Sequence, residues 1–440
     1  MSTSPKTGAP GLVRALGTFD ATLIVMGGVI GSGIFATPSV VAARVGSAPL
    51  ILAAWALGGL IALIGGFVFA ELAWRRPASG GLYGYMRDAY HPVVAFMYGW
   101  TALLISQSGG MAAAAIIFGN YVAPSLGGVN ATTCAVAVIA MLTAINCFGV
   151  RQGGNVQNVL MVLKIGVIAV VIVAGFVAAP VSHVATATVA AAGFGAAMVP
   201  VLFAYDGFQT AAFVDGEIRD PMRTMSRGLV WGIVGVIVLY MAVMLGGLRV
   251  LGSHGLAATS MPASEMMRLA FGPVGQRIVV IGVALSTLGF LSNQVLTSPR
   301  IYYAMAKDGV FFIAVARIHP RTHVPVVAIV LQGAVAIVIT LSGRYDQILN
   351  YVVSIDFVFM ALTAGALMIF RAQATDANNG GIRVPGHPWT TIFFLLACIV
   401  IVLNTLVAFP SDTLIGFALL LLGAPVYAAW KRYAPRRDGH

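Results

Sequence analysis

Met26-Gly27-Gly28-Val29-Ile30-Gly31-Ser32-Gly33-Ile34-Phe35 lies inside an apolar run long enough to cross a bilayer, yet four of its seven residues 27–33 are glycine. Each glycine weakens a helix by roughly 1 kcal/mol relative to alanine. In lipid, broken backbone is tolerated only where protein or a cavity covers it. The stretch therefore reads as a transmembrane helix opened on purpose, although Gly27 and Gly31 also have the spacing of a small-residue packing pair. A second stretch behaves alike. Pro200-Val201-Leu202-Phe203-Ala204-Tyr205-Asp206-Gly207-Phe208 places a proline and then an Asp-Gly turn dipeptide within another apolar run.

Everything around these two stretches is membrane-like. Of 440 residues, 59% are hydrophobic and 9% charged, against about 45–50% and about 25% in soluble domains. That excludes a disordered chain, a disulfide scaffold, a coiled coil and an ordinary cytosolic enzyme. Apolar runs at 15–43, 49–74, 93–119, 131–149, 157–179, 194–216, 228–250, 276–306, 324–342, 347–370, 390–408 and 413–430 predict twelve helices. At about 20 residues per span they occupy most of the chain. The fold class is an all-α polytopic membrane protein.

The two breaks fall in the first helix of residues 15–179 and the first helix of residues 194–370, and each half holds five helices. Interrupted helices at matching places in two halves mark an inverted-repeat transporter. Five is odd, so the second half enters from the opposite side. The predicted organisation is a tail at 1–14, a core at 15–370 made of these two repeats, helices 11 and 12 within 390–430, and a tail at 431–440.

An opened helix exposes amides at the start of its second half and carbonyls at the end of its first. Amides at a positive dipole end suit a carboxylate, and carbonyls suit an ammonium. An α-amino acid carries both groups on one carbon. The amides of Ser32 and Gly33 are expected to meet the carboxylate, and the carbonyls of Val29, Phe203 and Asp206 the amine. Gly31 and Gly33 let a ligand reach the backbone. The predicted binding set is Val29, Ile30, Gly31, Ser32, Gly33, Phe203, Ala204, Tyr205 and Asp206.

Five ordered motifs carry a family resemblance: Gly31-Ser32-Gly33-Ile34-Phe35, Ser79-Gly80-Gly81-Leu82-Tyr83, Leu202-Phe203-Ala204-Tyr205-Asp206-Gly207-Phe208, Glu217-Ile218-Arg219-Asp220-Pro221 and Tyr303-Ala304-Met305-Ala306-Lys307-Asp308-Gly309. Together they resemble the amino acid–polyamine–organocation superfamily, and within it the L-type amino acid transporter branch, over residues 15–370. Phe208 stands where the family motif has tryptophan. The resemblance implies a LeuT-type fold, alternating access, amino acid transport, the carboxylate site at Ser32 and Gly33, and a gating role for Phe203. Lys164 matches a helix 5 lysine that L-type members hold where sodium-coupled relatives bind sodium, which implies sodium-independent transport.

Few ionisable residues enter the membrane. Lys164 stands about 12 Å into its helix, counted at 1.5 Å per residue, where a lysine needs a cavity or partner unless it snorkels. It is expected to bridge carbonyls of helix 1 and hydroxyls of helix 8, Ser286 or Thr287. Asp206 has three readings: a ligand for the amine, a cap for the second half-helix, or a proton carrier. Asp356 in Ser-Ile-Asp-Phe-Val is a proton relay or a structural carboxylate. Glu71 and Asp20 lie near cytoplasmic helix ends, solvated or paired with arginines as a gate. Tyr240, Asn293 and Gln294 either line the site or join helices.

The net charge of +11 does not mark nucleic-acid binding, because basic residues punctuate apolar segments instead of clustering. With the N-terminus inside, 19 of the 25 Lys and Arg fall on the cytoplasmic side, which predicts both termini in the cytoplasm. Cys134, Cys147 and Cys398 show no metal spacing, and no disulfide-linked subunit is expected. No metal or other cofactor is implied. Short termini and the Ala, Val, Gly and Arg bias suit a bacterial inner membrane. The expected function is secondary-active transport of neutral L-amino acids by exchange or uniport, or alternatively a proton-coupled amino acid or polyamine permease. A membrane enzyme would need paired catalytic groups, and a receptor would not need two matched breaks.

Overall fold

The computed structural model describes residues 17–31, 33–76, 81–148, 153–180, 191–209, 221–320, 322, 324–373 and 383–433. In chain order the helices are α1 (Thr18–Val29), α2 (Gly33–Val45), α3 (Ala48–Arg75), α4 (Leu82–Ala89), α5 (Pro92–Thr101), α6 (Gln107–Val122), α7 (Ala131–Cys147), α8 (Gly153–Val177), α9 (Ala191–Tyr205), α10 (Pro221–Ala258), α11 (Pro262–Thr297), α12 (Pro299–Lys307), α13 (Val326–Ser342), α14 (Tyr345–Gln373), α15 (Trp389–Ala408) and α16 (Pro410–Tyr433). A π-helical turn, Ala102–Ser106, joins α5 to α6.

Among the described residues, seven helices are long and apolar enough to span a bilayer, and α1 with α2 forms an eighth span bent by 43°. Four shorter apolar helices, within α7, α8, α9 and α13, complete the twelve segments that the hydropathy pattern predicts. The protein is an integral membrane protein. Large apolar side chains such as Val407 and Leu341 stay exposed on its outer wall, as a lipid-facing surface requires.

The packing has the two-fold character of a repeat. α10 lies against α1 as α3 lies against α9; α11 lies against α8 as α14 lies against α6. Exchanging the halves maps each pair onto the other. The pairs α3 with α10, α6 with α11, and α7 with α13 map onto themselves. The two broken helices are thereby brought together. Gly207 has φ of +106°, and a Cβ there would collide with the carbonyl of Gly28, so the second break crosses the first at backbone distance. Only glycine satisfies both demands.

Two details depart from the sequence reading. Pro200 does not open its helix, since α9 runs through it to Tyr205 and the break follows at Asp206 and Gly207. The expected helix 276–306 is divided between α11 and α12 at Ser298, ahead of Pro299, because a proline cannot donate to the preceding turn. Of the five motif segments, residues 77–80 and 210–220 lie outside the described residues, as do both termini.

Candidate functional site

The site begins where α1 ends. Beyond Val29 the ladder stops, and three consecutive carbonyls turn to donors from three other helices. The Val29 carbonyl accepts from the Tyr240 hydroxyl of α10 at 3.1 Å and from the Gly31 amide at 2.8 Å. The Ile30 carbonyl accepts from Lys164 Nζ of α8 at 3.1 Å. The Gly31 carbonyl accepts from Ser286 Oγ of α11 at 3.5 Å. Lys164 is 1% exposed and does not snorkel. Its expected partner in α1 is found, but Thr287 turns back to the carbonyl of Val283 at 2.7 Å. A threonine hydroxyl on a helix reaches the preceding turn readily, which removes it from the lysine.

Tyr240 is held by edge-on and tilted aromatic rings. It lies 5.2 Å from Tyr205 and 5.6 Å from Trp55, and Tyr205 lies 5.7 Å from Trp55, centroid to centroid. The three rings come from α10, α9 and α3. They lock both broken helices onto one aromatic wedge.

A cavity opens at the crossing of the breaks, with about 580 Å³ of atom-free space counting its mouth. The backbone breaks supply Val29, Gly31, Gly33, Phe203, Ala204, Asp206 and Gly207. The residues after them and the facing helices supply Gln209, Ser106, Gln107, Gly110, Ala114, Phe290, Gln294, Val352 and Asp356. Of the predicted binding set, six residues line this cavity. Ile30 and Tyr205 do not; they hold its frame through Lys164 and the aromatic wedge. Ser32 lies outside the described residues.

Asp206 and Asp356, which no sequence spacing connects, meet here. Both side chains line the same cavity wall, together with Ser106. Asp206 accepts from Gln209 Nε2 at 2.8 Å and from the Gly207 amide. Gln209 Oε1 in turn accepts from the Gly207 amide at 3.2 Å. Asp206 faces the cavity, and the second half-helix that it was expected to cap lies outside the described residues.

Sequence reasoning missed the wall contributed by α6. Its signal was visible: Ser106-Gln107-Ser108-Gly109-Gly110 is a polar, glycine-bearing interruption in an apolar span, and the π-helical turn ends at Ser106. Such turns recur at functional sites because the extra residue re-aims the side chains that follow.

Two polar clusters sit near helix ends. Glu71 is fully buried, and its carboxylate accepts from Arg75 Nε at 2.7 Å, Arg371 Nε at 2.7 Å and the Val384 amide at 2.7 Å. This corrects the reading of Glu71 as a solvated end: the carboxylate ties α3, α14 and the segment before α15. The Asp20 side chain lies outside the described residues. Asp308, just past α12, accepts from the Tyr83 hydroxyl at 2.9 Å and Arg87 Nη1 at 3.0 Å in α4. Burial and the neighbouring Asp308 carboxylate push the Tyr83 phenol well above its ordinary range.

Two crossed, broken transmembrane helices around one central cavity define a carrier of the inverted-repeat type. The chain belongs to the amino acid permease family, whose signature matches residues 16–424. It is similar to the serine/threonine exchanger SteT of Bacillus subtilis strain 168, with 29% identity over 430 residues, covering 96% of this chain and 98% of that one. It is also similar to the human large neutral amino acids transporter small subunit 2, with 28% identity over 448 residues, covering 96% and 82%. The human b(0,+)-type amino acid transporter 1 is 27% identical over 401 residues, covering 87% and 81%. The protein is a membrane carrier of amino acids and not an enzyme.

Proposed function

We propose that the protein exchanges neutral L-amino acids across the bacterial inner membrane without sodium, uniport being the limiting form of the same cycle. The observation that carries this is the cavity at the two breaks, walled by the backbone of Gly31 and Gly33 on one side and by the end of α9 on the other. The first amides of α2, at Ser32 and Gly33, receive the α-carboxylate. The carbonyls that end α9 receive the α-amine. Val29 is a poorer ligand than the sequence suggested, because its carbonyl already holds two donors. The Lys164 ammonium group occupies the place behind the break, bonded to the Ile30 carbonyl, which leaves no call for a metal cation there. Phe203 closes the cavity. Alternating access opens the cavity to one side of the membrane and then to the other, with both termini in the cytoplasm as the Lys and Arg distribution predicts.

Three relatives support an amino acid as the cargo, one of them by its name an exchanger and one by its name a carrier of large neutral amino acids. Cys134 is buried, which fits a carrier without a disulfide-linked subunit. One observation favours the proton-coupled alternative. Asp206 and Asp356 both line the cavity, and a proton carrier needs such a carboxyl group within reach of the substrate.

Proteoliposomes loaded with unlabelled alanine separate these readings. Uptake of labelled alanine that needs internal substrate, and is indifferent to sodium and to a pH gradient, is the expected result. Uptake into empty vesicles driven by a pH gradient would replace exchange with proton coupling. No uptake of any amino acid would refute both.

A further inference from the structure

We propose that Gln294 determines specificity in this cavity, its side-chain amide binding the hydroxyl of a small hydroxyl-bearing amino acid such as threonine or serine. The inference rests on the reading of the cavity as the amino acid site.

Gln294 projects from α11 into the cavity wall and is 6% exposed. Its Nε2 donates to Gln107 Oε1 of α6 at 3.1 Å, and Ser298 Oγ donates to the same oxygen at 2.7 Å. Those bonds fasten one end of the amide. The other end, Oε1, is buried and has no hydrogen-bond partner among the described residues. Native interiors rarely leave a buried amide oxygen unpaired, so an unpaired one in a ligand cavity points to a ligand group.

Gly110 leaves room beside the amide on its Nε2 side. A Cβ on Gly110 would meet nothing nearer than Gln294 Nε2 at 3.9 Å. Phe290 and Phe203 bound the cavity and limit the size of what enters. A hydroxyl is both donor and acceptor, so it satisfies the position whichever end of the amide it meets. A methyl group in the same place leaves the amide unpaired and dry. Sites built to bond a substrate hydroxyl discriminate strongly against the isostere that lacks it. Threonine and valine form that isosteric pair.

The experiment measures how threonine and valine compete with labelled alanine in counterflow. Wild-type protein is expected to prefer threonine by about tenfold or more, the size of one satisfied buried hydrogen bond. Gln294→Met keeps the length of the side chain without the amide, and the preference should fall to within about threefold while alanine counterflow persists. If Gln294→Met does not fold, Gln294→Asn withdraws the same amide by one methylene and should lower the ratio likewise. Equal competition by threonine and valine in the wild type overturns the proposal, as does a variant whose ratio is unchanged. Absence of alanine counterflow in the wild type would instead overturn the transport reading beneath it.

Discussion

Lys164→Met tests whether the buried lysine serves transport or the fold. Lys164 is 1% exposed, and its Nζ makes one hydrogen bond among the described residues, to the Ile30 carbonyl at 3.1 Å. A hydrogen bond to a charged group contributes about 1.5–3 kcal/mol. Burying the ammonium costs several kcal/mol, offset in part by that bond. Methionine fills a similar volume without the charge. Set against the Ile30 carbonyl left unpaired, the balance predicts a stability within about 2 kcal/mol of the wild type. Function should fall. The Ile30 carbonyl loses its partner, and an unpaired buried carbonyl costs about 1–3 kcal/mol. That cost falls on the state in which α8 holds the break, so the counterflow rate should drop by about ten- to a hundredfold. Thermal unfolding in detergent and alanine counterflow in proteoliposomes measure the two effects on one preparation. Counterflow within about twofold of wild type would refute a transport role for the lysine. A loss of more than about 3 kcal/mol of stability would refute the balance drawn here.

Gly207→Ala should abolish counterflow, because a left-handed φ costs an alanine about 1–2 kcal/mol and the new Cβ collides with the Gly28 carbonyl. Gly166→Ala, in α8 with nothing within 4 Å of the added carbon, should instead stabilise by about 0.4–1 kcal/mol in a thermal-shift assay. Glu71→Gln should destabilise by about 3–5 kcal/mol, since it turns an amide donor toward two guanidinium groups and a backbone amide that all need acceptors. Asp308→Asn, which weakens a half-exposed pair with Arg87, should shift unfolding by less than about 1 kcal/mol.

How much of this was legible follows from what each feature depends on. The spans were legible because lipid demands long apolar runs, and the break at 27–33 because glycine is costly in a helix. Lys164 was legible because an isolated charge in an apolar run needs a reason. Its partner was half legible: the carbonyl side followed from the break, but Ser286 and Thr287 are neighbours in sequence, and only rotamer and helix phase decide which one faces α1. The meeting of Asp206 with Asp356 was not legible, since nothing local fixes the distance between residues 150 positions apart. Gln107 and Gln294 were harder still. A glutamine in a membrane helix serves equally as an interhelical bridge, and only the unpaired end of the amide separates the two roles.

The break in α1 is better described as a junction than as a gap. Three successive carbonyls that a helix would have paired internally are paired by α10, α8 and α11. Tyr240 and Lys164 come from different repeats, and Ser286 is at the limit of bonding distance. Alternating access must therefore lengthen some of these bonds while others hold. A bond already at 3.5 Å costs least to break, which makes the α11 contact the first to part. A cysteine pair spanning Gly31 and Ser286 should then cross-link in one state only. Cross-linking of this pair at undiminished counterflow would reverse that order.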